Sequence, residues 1–161
     1  MTRGTGKNSI VLILIAGFLM TGSAFAHGDK ATDKGEYFSG LDSAAATVVK
    51  DFHQALQIGD VVTVRKVLAD EVVIFENGGV ERSLNEYAAH HMKSDMEFLR
   101  EAQVTDLEFQ VRVVGNIAMS LYRSKVQGRF REQDLDIQTM ETLVLMKQDE
   151  QWKIVHVHWS N

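Results

Sequence analysis

From residue 104 to the C-terminus the chain keeps a period of two through four successive segments, and no other feature restricts its fold as much. Residues 104–114, 117–127, 135–147 and 152–160 alternate apolar with polar side chains and are rich in β-branched and aromatic residues, the pattern of half-buried strands. Gly115-Asn116 and two short polar stretches separate them. Strands joined by such short turns pair with their neighbours in sequence, so the second half of the chain is an antiparallel meander. Proline is absent from all 161 residues, so the turns rest on Gly, Asn, Asp and Ser.

The preceding stretch reads as helices interrupted by one hairpin. Ala45, Val48, Val49, Phe52, Ala55 and Leu56 recur at helical spacing, and Gly59 stands where a helix ends. Asp60 can cap a second, short helix carrying Val61, Val64, Val67 and Leu68. Residues 71–76 then switch to strand chemistry, and Asn77-Gly78 is a hairpin signal returning through Val80-Glu81-Arg82. Ser83-Leu84-Asn85-Glu86 is a capping box opening a third helix to about Arg100. Helices gathered on one face of a long curved sheet give an α+β fold.

The first 26 residues have a different purpose. Arg3 and Lys7 precede an apolar run from Ile10 to Met20, and Ala24-Phe25-Ala26 completes a secretory signal with a cleavage site after Ala26. The run is 11 residues long, whereas a membrane-spanning helix needs about 20. The expected organisation is a signal peptide over 1–26, a loose leader over 27–41 and one domain over 42–161, in a periplasmic or secreted protein with no stable membrane anchor after cleavage. Removing Arg3 and Lys7 takes the formal charge from −5 to −7. A chain so acidic does not bind nucleic acid through a bulk positive field. Without cysteine it has neither disulfides nor thiolate chemistry, and no phosphate-cradling glycine loop or nucleophile elbow appears.

Six histidines remain to be placed. On the third helix, His91 and Asp95 fall within the apolar arc formed by Leu84, Tyr87, Ala88, Met92, Phe98 and Leu99, at the i, i+4 spacing of surface neighbours. They either partner each other and stiffen the core or line a cavity. On the last strand, alternation puts Trp152, Ile154, His156, His158 and Ser160 on one face and Lys153, Val155, Val157 and Trp159 on the other. His156 and His158 can therefore converge on one ligand. Glu76, at the end of the first strand, can rim the same hollow.

The closing strand Trp152-Lys153-Ile154-Val155-His156-Val157-His158-Trp159-Ser160 resembles the SnoaL-like branch of the nuclear transport factor 2-like superfamily. So do Phe75-Glu76-Asn77-Gly78-Gly79-Val80-Glu81-Arg82-Ser83 and the helix that carries His90-His91-Met92 and Asp95. The resemblance implies a cone-shaped, curved antiparallel sheet wrapped around three helices (cystatin-like), a pocket at the wide end, and a homodimer through the sheet. The sequence shows no evident arrangement of the tyrosine and aspartate pair used by ketosteroid isomerase-like members, so that chemistry is not carried over.

Three functions stay open, because fold does not settle activity. The first is an exported domain binding a small molecule through Glu76, Tyr87, His91, Asp95, His156 and His158. The second is a metal-binding protein holding zinc, copper or nickel through His91, Asp95 and His158, with a further copper-chelating group at a processed N-terminal His27. The third is a lyase or isomerase in which His91, oriented by Asp95, is the catalytic general base.

Overall fold

The computed structural model describes residues 37–161. The signal peptide and most of the leader, His27 included, lie outside the described residues. Within the stretch read as leader, Phe38–Ser39 forms a short strand, β1.

Local chemistry sets the helices. In α1 (Ala44–Ile58) the Ser43 hydroxyl accepts the Ala46 N–H at 3.1 Å, and Gly59 ends the helix at φ +78°, a left-handed conformation that suits glycine. Asp60 caps α2 (Val61–Val67) by accepting the Thr63 N–H at 3.1 Å. The hairpin follows as β2 (Leu68–Glu76) and β3 (Gly79–Glu81), turning at Asn77-Gly78 with positive φ at both positions. Ser83 caps the next helix through the Glu86 N–H, while the Glu86 carboxylate accepts the Arg82 N–H at 2.7 Å.

That helix is not continuous to Arg100. It divides into α3 (Leu84–Ala89) and α4 (Met92–Glu101) at His90-His91. Neither proline nor glycine explains the break. It falls where both histidine rings turn toward the Glu81 carboxylate, which sits on β3 beneath them.

The meander is β4 (Ala102–Val114), β5 (Ile117–Phe130), β6 (Gln133–Gln148) and β7 (Gln151–Ser160). With the first three strands it forms a seven-stranded sheet ordered β1-β4-β5-β6-β7-β2-β3. The α+β architecture is as the sequence implies, with two differences. The described helices number four, and the sheet is mixed, because β2 runs parallel to β7 and β1 parallel to β4. The intervening α3, α4 and meander carry the chain from β2 back alongside itself, a long-range pairing that periodicity does not encode.

Strand register creates the platform for the site. Phe109, Tyr122, Glu141, Trp159 and Glu76 stand opposite one another on β4, β5, β6, β7 and β2 as one rung across five strands. The adjacent rung, Val111, Ser120, Leu143, Val157, Ile74 and Glu81, is buried throughout. Both face the helices. Phe52 of α1, with no exposed surface, stacks on Trp159 with ring centroids 6.2 Å apart and planes within 2°. Burying such a ring is worth about 2–3 kcal/mol and the aromatic pair adds about 1 kcal/mol, so α1 is pinned to the rung that carries the polar groups.

The closing strand departs from simple alternation. His156 pairs with Val144 and Ile154 with Leu145, leaving Val155 as an extra residue, a β-bulge. The bulge inverts the facing of everything after it. Ile154 and Val157 both point into the core with no exposed surface, and Trp159 follows Val157 inward. His156 and His158 therefore occupy the outer face, where both rings meet Phe75 edge-on at centroid distances of 5.1 and 6.3 Å. The expectation that Ile154, His156 and His158 share a face is corrected by this single inserted residue.

Candidate functional site

The inner rung ends at Glu76, and around it four further polar side chains converge. Tyr87, from α3 and fully buried, donates its hydroxyl to Asp95 Oδ2 at 2.9 Å. Glu81, at 5% exposure, accepts from His91 Nδ1 at 2.8 Å, with His90 Nδ1 at 3.8 Å from the same oxygen. The break between α3 and α4 makes this geometry. It lets His91 leave the helix surface for Glu81 and turns Asp95 back toward Tyr87.

The i, i+4 partnership expected between His91 and Asp95 is thus replaced by two others, His91 with Glu81 and Asp95 with Tyr87. A tyrosine–aspartate pair is present after all. Its members are eight residues apart on two separate helices, a relation that spacing on one helix does not reveal.

Crowding three carboxyl groups into a half-buried space has an electrostatic consequence. Burial, and then the charge of Glu76, push the Asp95 carboxyl up to about 7, against the opposing effects of the Tyr87 hydrogen bond and of His91. Burial likewise raises the Glu76 carboxyl above the usual range, with His91 opposing and Glu81 adding to the shift. The hydrogen bond to Glu81 holds His91 above the ordinary histidine value despite partial desolvation. Tyr87 is raised far beyond the phenol range by burial and by Asp95, so it remains a proton donor at any working pH.

Of the six residues expected to line a pocket, Glu76, Tyr87, His91 and Asp95 come together, while His156 and His158 do not join them. His156 Nδ1 instead bonds the Val73 carbonyl oxygen at 2.8 Å, and His158 is exposed on the outer face. The metal set of His91, Asp95 and His158 is therefore split across the sheet. Among the described residues no group of three or more His, Asp or Glu side chains is arranged to hold a metal ion. A cleft of about 540 Å³ lies between α1, α2 and the start of β7, lined in part by Asp51, Asp60, Lys66 and Trp152, and does not include the carboxylate cluster.

Sequence reasoning missed two members of the inner face, His53 and Glu141. His53 Nε2 lies 2.8 Å from Glu141 Oε1, and Trp159 Nε1–H donates to Glu141 Oε2 at 2.8 Å. The signal was available. His53 lies four residues after Val49 and three before Leu56, on the buried arc of α1. Glu141 alternates with Leu143 and Leu145 on the inward side of β6.

A curved sheet wrapped on helices, with ionisable groups gathered on its inner face, defines a nuclear transport factor 2-like domain. The chain belongs to the SnoaL-like domain family, whose sequence profile matches residues 45–161. A crystallised protein from Shewanella frigidimarina NCIMB 400, described as a candidate ketosteroid isomerase, is 53% identical. The match covers 76% of this chain and 99% of that one at a TM-score of 0.75. The CaMKII hub of S. rosetta shares the fold at 21% identity, covering 73% of this chain and 93% of its own, with a TM-score of 0.63. So does a nuclear transport factor 2-like protein of unknown function from Pseudomonas putida KT2440, at 18% identity, 71% and 82% coverage and a TM-score of 0.61. No curated protein matches the chain significantly.

Proposed function

We propose that this chain is an exported SnoaL-like domain that binds a small molecule against Glu76, Glu81, Tyr87, His91 and Asp95 and moves a proton on it, as an isomerase does. The observation that carries the reading is Asp95. Its carboxyl is bonded to Tyr87 at 2.9 Å and poised at about 7. A group with that midpoint both accepts and returns a proton in neutral water, the requirement for general acid–base work. Tyr87 steadies the carboxyl as a permanent donor. The 53% identity to a candidate ketosteroid isomerase supports the same reaction class. In this arrangement Asp95, rather than His91, is the better general base, since His91 is engaged by Glu81.

The test is isomerisation of a β,γ-unsaturated ketosteroid, followed by absorbance of the conjugated product, with Asp95→Asn alongside. The expected result is turnover that falls at least 100-fold in the variant, in line with the typical contribution of one acid–base group. Turnover equal in the two proteins would remove Asp95 from the reaction, and no turnover by the native protein would remove this substrate class.

Two further features belong to the same proposal. The N-terminal pattern supports export, which N-terminal sequencing of protein recovered from the periplasm checks by finding His27 first. The outer sheet face, with Phe75 44%, Met140 57% and Leu121 37% exposed, supports pairing of two copies through the sheet.

A further inference from the structure

The closing strand carries two imidazoles that the inner face does not use. The bulge at Val155 turns His156 and His158 outward on successive rungs, the first between Val144 and Val73, the second between Thr142 and Phe75. Positions two apart on a strand are separated by about 6.6 Å, a spacing from which two rings can close on one ion. Phe75 meets both rings edge-on, at 5.1 Å from His156 and 6.3 Å from His158 between centroids.

His156 is already oriented. Its Nδ1 lies 2.8 Å from the Val73 carbonyl oxygen, which can only accept, so the neutral ring carries its proton on Nδ1 and its lone pair on Nε2. A backbone carbonyl behind one ring nitrogen is the arrangement that fixes the tautomer and direction of a metal-bound histidine. His158 is exposed beside it.

The setting of the two rings is apolar. Leu121 and Phe75 flank the rung that holds His158, Met119 and Val73 flank the one that holds His156, and Met140 stands diagonally across from His158. The histidines therefore lie within the exposed apolar patch on the outer sheet face. In a two-fold pair formed through that patch, residues at its centre meet their own copies. Four imidazoles then come together where apolar side chains offer no hydrogen bond, and a lone pair buried without a partner is costly. A metal ion removes that cost.

The donor set selects the ion. Calcium and magnesium require oxygen ligands, and no carboxylate stands on either rung. Imidazole suits zinc, which takes four ligands in a tetrahedron. One chain supplies two, and among the described residues no third His, Asp or Glu joins them.

We propose that His156 and His158 form half of a zinc site, which a second copy of this chain completes with the same two residues. The site rests on the pairing of two copies through the outer sheet face.

The experiment adds zinc alone to the untagged native protein, to His156→Gln and to His158→Gln, and follows uptake by calorimetry and association by sedimentation equilibrium. The native protein takes up one zinc ion per two chains, the pair becomes more stable with zinc than after chelation, and the 15N resonance of His156 Nε2 moves. Cobalt in place of zinc gives the intense visible bands of a tetrahedral site. Either variant weakens uptake by at least about 100-fold, more than is typical for a group that only orients a ligand. A native pair that takes up no zinc overturns this proposal and leaves the pairing standing. Chains that stay single with zinc present overturn both. Uptake of one ion per chain, or an unmoved His156 resonance on uptake, overturns the shared site. These readings on the native protein stand whether or not a variant folds.

Discussion

Replacing Asp95 by Asn separates the electrostatic account from a purely structural one. The folded carboxyl titrates at about 7 against an ordinary 3.8, so the folded state holds its proton to higher pH than the unfolded chain does. The sign follows from proton binding: between pH ~4 and ~7 the native state binds more protons, and stability falls as pH rises. The offset of about three pH decades, at 1.36 kcal/mol each, sets an upper bound of about 4 kcal/mol. Solvent at the exposed edge of Asp95 reduces this to about 2–4 kcal/mol. Asparagine keeps an oxygen for the Tyr87 hydroxyl and cannot ionise, so it avoids that loss. Urea unfolding of both proteins from pH 4 to 8 should show the variant gaining on the native protein through this window, to an advantage of about 2–4 kcal/mol at pH 8 relative to their difference at pH 4. His53, present in both, cancels in the comparison. A difference between the proteins that is the same at pH 4 and pH 8 would refute the reasoning.

Other perturbations follow from individual contacts. Glu81→Gln removes the charge that raises His91, so its proton NMR titration midpoint should drop toward the ordinary value of about 6.5. Trp159→Phe keeps the stacking on Phe52 but leaves one Glu141 oxygen without its donor, and urea unfolding should show a loss of about 1–3 kcal/mol. Ser83→Ala should cost about 1 kcal/mol in the same assay through the lost cap of α3. The proposed pairing of two copies through the outer sheet face predicts that sedimentation equilibrium finds pairs of the native protein and single, folded chains of Met140→Lys, which places a charge on that face.

The parts of the fold that sequence revealed are those governed by nearby residues. Ser83, Gly59 and Asp60 end or begin helices by bonding their own neighbours, and Asn77-Gly78 and Gly115-Asn116 turn strands by their own backbone freedom. The four-strand meander follows from alternation alone. What escaped was governed at long range. The parallel contact of β2 with β7 joins residues about 80 positions apart, and periodicity carries no trace of it. One extra residue at Val155 exchanged the faces of a strand whose pattern was apolar on both sides and so could not fix its own register. The site was half readable for the same reason. Tyr87, His91 and Asp95 were picked out because they share an apolar arc, but their partners depend on Glu81 arriving from β3 and on the helix breaking beneath it. His53 obeyed the same arc rule on α1, and its partner Glu141 lies 88 residues away.

The central claim is that Asp95 shares its proton with neutral water. Selective 13C labelling of aspartate and titration of the Asp95 carboxyl resonance from pH 3 to 9 measures this directly. A midpoint near 7, with Tyr87 protonated throughout, is the predicted result; a carboxyl already ionised at pH 5 would contradict it.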